Sequence, residues 1–82
     1  MFTFYSDPGH SWLAVTLQDV IAVGLAVSDF SRYSYRKNNT LFLEEDCDAG
    51  KFILAYEAIH GARPEFKEVY QERTFIRSLP HI

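Results

Sequence analysis

Cysteine is almost missing from this chain: Cys47 is the only one in 82 residues. A single thiol excludes an internal disulfide and any multi-cysteine zinc site. A secreted domain this small usually needs disulfides, so the expected setting is a reducing cytoplasm. Lysine and arginine are absent before Arg32, while Asp7, Asp19 and Asp29 fall in that stretch. The formal net charge is −3, and the balance argues against a protein that coats nucleic acid through phosphate neutralisation. Long apolar runs are lacking too. The longest weakly polar stretch, Val20 to Val27, is far too short to span a bilayer. Met1-Phe2-Thr3-Phe4-Tyr5 has no basic n-region and does not read as a signal peptide. No internal repeat, low-complexity segment, linker, phosphate-cradling glycine loop or nucleophile elbow is present.

What is present is material for one core. Hydrophobic residues make up 48% of the chain and aromatics 16%, a load that buries much area per side chain. The length suits a single small domain over residues 1–82.

Phe2-Thr3-Phe4-Tyr5 and Ser11-Trp12-Leu13-Ala14-Val15-Thr16 read as two strands across an Asp7-Pro8-Gly9 turn. Thr16 is placed to cap a first helix, with Asp19 three residues on in an imperfect capping box. Leu17, Val20, Ile21, Gly24 and Leu25 recur at helical spacing, although Gly24 weakens a helix beyond that point. Ser28-Asp29-Phe30-Ser31 reads as loop. Arg32 to Arg36 and Thr40 to Glu44 alternate around Lys37-Asn38-Asn39, which predicts a hairpin with a three-residue loop. A second helix follows, capped by Asp46 or Asp48, with Ala49, Phe52, Ile53, Tyr56, Ile59 and His60 on one face and Gly61 ending it. Glu65 to Arg73 alternates as a charged edge strand. Residues 75–82 form an apolar tail that docks on the core or serves as a contact element. The predicted class is α+β: an antiparallel sheet of about four to five strands with two helices on one face, in the order ββ-α-ββ-α-β.

Several residue groups invite a chemical reading. Asp7 and His10 could pair as acid and base or as metal ligands, but Asp-Pro-Gly is also good turn chemistry. Trp12 shares the parity of His10 on its strand; it is a core residue or, if exposed, an interface anchor. Glu44, Glu45, Asp46 and Asp48 could hold a divalent metal or form an acidic contact surface. Their position between a strand end and a helix start also explains them without chemistry. Cys47 as a nucleophile needs a lowered pKa, which neighbouring carboxylates oppose. Arg32, Tyr33, Tyr35, Arg36 and Lys37 interleave base and aromatic residues like a nucleic-acid contact strip, though a small one.

The segments Asp7-Pro8-x-His10-x-Trp12-Leu13-x-Val15, Ser31-Arg32-Tyr33-Ser34-Tyr35 and Leu43-Glu44-Glu45-Asp46-Cys47-Asp48-Ala49 are similar to a group of small orphan proteins. These proteins are carried by bacteriophages, prophages and plasmids. The similarity runs on through Phe52, Tyr56 and Phe75-Ile76-Arg77-Ser78. It implies a host-defence inhibitor of the anti-CRISPR kind, acting in the bacterial host cell, and it carries over no catalytic residues.

The expected function is therefore a non-enzymatic binding protein without cofactor or metal. Its partner would be a host effector complex, CRISPR-Cas or another defence system, rather than a membrane or nucleic acid. Glu44, Glu45, Asp46 and Asp48 would mimic phosphates, with Trp12, Tyr33 and Tyr35 as anchors. The alternative is a small regulator or nucleic-acid-binding module using Arg32, Arg36 and Lys37.

Overall fold

The computed structural model describes residues Met1–Ile82. Two strands open the chain, β1 (Phe2–Ser6) and β2 (Ser11–Thr16). The short helix α1 (Leu17–Ala22) follows, then the hairpin strands β3 (Tyr35–Lys37) and β4 (Thr40–Glu44). The longer helix α2 (Gly50–His60) and the strand β5 (Phe66–Tyr70) complete the regular elements. The sheet order is β3-β4-β2-β1-β5. The element order is the expected ββ-α-ββ-α-β. One feature of the sheet is corrected: β5 runs parallel to β1, so the sheet is mixed rather than antiparallel throughout. The chain returns after α2 to lie outside β1, and pairing direction there follows from the long crossover rather than from any tight turn.

Local signals explain the element ends. The Thr16 hydroxyl accepts from the Asp19 amide at 3.0 Å and the Asp19 carboxylate accepts from the Thr16 amide at 2.8 Å, a complete capping box. Gly24, at φ 81°, closes α1. The Leu25 and Gly24 amides then donate back to the Val20 and Ile21 carbonyls in a Schellman arrangement. Gly61, at φ 69°, ends α2 in the left-handed region, as its position predicts. The hairpin turn is one residue tighter than expected. Lys37 pairs with Thr40, so Asn38-Asn39 alone makes the loop, with Asn38 at φ 54°.

Alternation along the strands divides the sheet into two faces. Leu13, Val15, Leu41 and Leu43 face the helices and pack with Val20, Phe30 and Phe52 in the main core. Ile53 and Tyr56 are half-buried against it, whereas Ile59 and His60, expected on the same face, lie exposed on the last turn of α2. The opposite face carries Trp12 and Phe42 and is covered by the C-terminal segment. A 3₁₀ turn at Phe75–Ser78 inserts Ile76 between them. The chain then reaches the far edge, where His81 bridges Tyr35 and the Arg36 amide donates to the Pro80 carbonyl at 2.9 Å. Of the two roles open to the tail, docking on the core is the one observed. The strap runs from the β5 side of the sheet to the β3 edge and covers that edge. No helix is long and apolar enough to cross a membrane.

Candidate functional site

Where the strap crosses the sheet it leaves a groove of about 300 Å³. Trp12 and Tyr35 line it from the sheet, and Tyr33 from the loop before β3. Glu44, Asp46 and Cys47 come from the end of β4 and the turn beyond it. His10 comes from the first turn, and Arg77 and His81 from the strap. Strand register assembles this set, because Trp12 on β2 lies directly opposite Glu44 on β4.

Glu44 organises the carboxylate end. Only 7% exposed, it accepts from the Asp46 and Cys47 amides through Oε2 at 2.8 and 2.9 Å. It is the cap of the following turn, a role expected of Asp46 or Asp48. That turn is a wide π-helical one, Glu45–Ala49, leading into α2. The other Glu44 oxygen, Oε1, lies 3.4 Å from His10 Nδ1. Glu45 and Asp46 are exposed beside it. One ligand-type atom from each of His10, Glu44, Glu45 and Asp46 falls within 4.8 Å of the others.

Asp48 does not belong to this surface, which corrects the expectation of a four-carboxylate contact run. It is fully buried and accepts from the Ser31 amide and hydroxyl and from the Ser34 hydroxyl. Ser34 in turn accepts from the Glu44 amide at 2.9 Å. A buried charge must be paired or hydrogen-bonded, and here the 31–34 loop is wrapped around it. Trp12 is corrected likewise: at 1% exposure it is packed against Phe42 and Ile76 and cannot insert into a partner. Its indole N–H has no hydrogen-bond acceptor. Tyr33 is 62% exposed and Tyr35 half-buried, stacked on His81 at 4.2 Å between ring centres.

The wall opposite is an ion pair that sequence reading missed. Arg77 Nε donates to Asp7 Oδ2 at 2.5 Å and its Nη2 to Oδ1 at 3.1 Å. The guanidinium also lies 5.2 Å from the Trp12 ring centre. Asp7 Oδ1 closes the Asp-Pro-Gly turn as well, accepting from the Gly9 and His10 amides at 2.9 Å each. Arg77 above all, together with those amides, holds the Asp7 carboxyl well below the usual carboxylate range despite burial. Asp7 is thus a structural anion, not a partner for His10 in acid–base work. Seventy positions separate Asp7 from Arg77, so no local pattern marks the pair.

The thiol of Cys47 is exposed to solvent at the groove. Partial desolvation, a hydrogen bond to Glu44 and the carboxylates of Glu44, Asp48 and Asp46 push its pKa up. The basic strip is divided by the sheet. Arg36 pairs with Leu41 on the helix-facing side and Tyr35 with Phe42 on the groove side, and Arg36 Nε is engaged by the Asn38 carbonyl at 2.9 Å. Arg36 and Tyr35 therefore do not form one contact surface, although Arg32 and Lys37 are exposed.

No family model, curated protein or solved structure matches the chain.

Proposed function

We propose that this protein is a non-catalytic binding module of a mobile element, an inhibitor that holds a basic segment of a bacterial defence complex against the mouth of the groove. The supporting observation is the juxtaposition of exposed Asp46 with the exposed ring of Tyr33 and the stacked pair Tyr35–His81 around one concavity, with the exposed Glu45 carboxylate within 4.8 Å of that of Asp46. Carboxylates beside aromatic faces suit a guanidinium or ammonium group, which both attract. Lys and Arg are the residues with which an effector contacts phosphate. The raised Cys47 pKa speaks against a thiolate nucleophile at the same place. The partner class comes only from the resemblance read in the sequence segments around Asp7, Ser31 and Leu43.

The carboxylates to test are Glu45 and Asp46, because Glu44 and Asp48 hold the fold together. A titration of wild type and Glu45→Gln/Asp46→Asn against purified RNA-guided bacterial effector complexes, at low and high salt, decides the matter. Expected are weaker binding by the double variant, loss of its salt dependence, and competition between nucleic acid and the wild type. Equal low-salt affinities, or no binding to any such complex, would overturn the proposal.

A further inference from the structure

We infer that the free edge of β5 pairs with β5 of a second copy of this chain, antiparallel, about a two-fold axis at Val69. The two edges of the sheet are finished differently. The β3 edge is closed by the strap, through the His81 bridge to Tyr35 and the Arg36 amide on the Pro80 carbonyl. β5 lies at the other end of the sheet and has no such cover. The Phe2 amide donates to the Glu65 carbonyl at 3.0 Å and the Gln71 amide to the Ser6 carbonyl at 2.8 Å. Odd-numbered residues along β5 therefore turn their backbone groups to β1. Alternation turns those of Phe66, Glu68 and Tyr70 outward, where no residue of the chain takes them up. Glu68 and Tyr70 are exposed. An uncovered row of donors and acceptors is a template for another strand.

Charge selects the occupant and the register. A two-fold axis normal to the sheet pairs residues that share a face. For the outward groups of two copies to meet along the strand, the axis falls at Lys67, Glu68 or Val69. At Lys67 or Glu68 it sets like charges directly opposite, which is destabilising. At Val69 it sets Val69 against its own copy, Glu68 against Tyr70 and Lys67 against Gln71. The Glu68 and Tyr70 backbones of the two copies then exchange hydrogen bonds in both directions.

The same register brings Glu65 of each copy toward Arg73 of the other, just beyond the strand ends. Both residues are exposed, and neither makes an ion pair within its own chain. The edge is thus complementary to itself, which favours a second copy over an unrelated strand. A contact along one short strand buries little area, so the dimer is weak and depends on concentration. The groove lies toward the β3 side of the sheet and stays open in the dimer, so this inference does not rest on the inhibitor reading.

Sedimentation equilibrium of the full chain from about 10 μM to about 1 mM tests it, a span that covers weak association. The average mass should rise from that of one chain toward that of two. Amide exchange at Glu68 and Tyr70 should slow at the high concentration, while that at Lys67 and Val69 changes little. Glu68→Pro removes one outward amide, leaves the bonds to β1, and should abolish the dimer while keeping native circular dichroism. Arg73→Glu should weaken the dimer about threefold or more, and Glu65→Arg/Arg73→Glu should restore it. If Glu68→Pro does not fold, the exposed charge-swap pair decides alone. A single-chain mass throughout the range, a dimer that folded Glu68→Pro leaves intact, a dimer indifferent to Arg73→Glu, or a charge swap that fails to restore it would each overturn the inference.

Discussion

The two faces of the sheet are built on different physics. The helix side is a continuous apolar core in which Leu13, Leu41, Leu43 and Phe52 are fully buried. The strap side has a smaller apolar cluster of Trp12, Phe42 and Ile76, ringed by Asp7–Arg77, His10 and Glu44. Apolar burial is nondirectional and tolerates no opening, so the helix side holds the fold. Directional pairs can surround a concavity, so the strap side holds the groove.

The largest effects should come from breaking each face in turn. Leu43→Ala and Ile76→Ala each remove a fully buried side chain and should cost about 2–5 kcal/mol in chemical denaturation. They differ in what Trp12 reports under native conditions. Ile76→Ala loosens the strap over Trp12 and should shift its emission to the red, whereas Leu43→Ala should leave native emission unchanged. Identical emission in both variants would mean that the faces are not separable.

A smaller effect is expected at the ion pair that pins the strap to the first turn. Asp7→Asn preserves the turn-closing acceptor but removes the charge facing Arg77, and should cost about 2 kcal/mol at neutral pH. The sign of its pH dependence follows from the depressed folded-state pKa. Ionised Asp7 contributes fully above the unfolded value of about 4. That contribution fades as pH falls from there toward the lower folded value. The stability gap between wild type and Asp7→Asn should therefore narrow on acidification below about pH 4, measured by denaturant midpoints. A gap that stays constant down to pH 2 would remove the ion pair as its source.

The smallest effect belongs to Cys47→Ser, an isosteric change at an exposed site whose thiol is kept protonated. Stability should move by less than about 0.5 kcal/mol, and partner binding should be unchanged. Loss of binding with normal folding would make the thiol part of the groove's function.

Sequence by itself determined whatever is decided within a few residues. Thr16 with Asp19 caps α1 because side chain and amide lie three residues apart on the same turn. Gly24, Gly61 and Asn38 mark the places where the backbone turns left-handed, because few other residues do so cheaply. Alternation through β2 and β4 set which residues share a face, and the element order follows from these signals.

Tertiary structure alone decided how the charges are used. Glu44, Glu45, Asp46 and Asp48 look alike in the chain. Strand register and the loop at Ser31–Ser34 bury Asp48, make Glu44 a cap, and leave Glu45 and Asp46 in solvent. The parallel direction of β5, the docking of the strap and the reach of Arg77 to Asp7 are equally nonlocal. A carboxylate's role depends on the desolvation and donors around it, and those come from segments far along the chain.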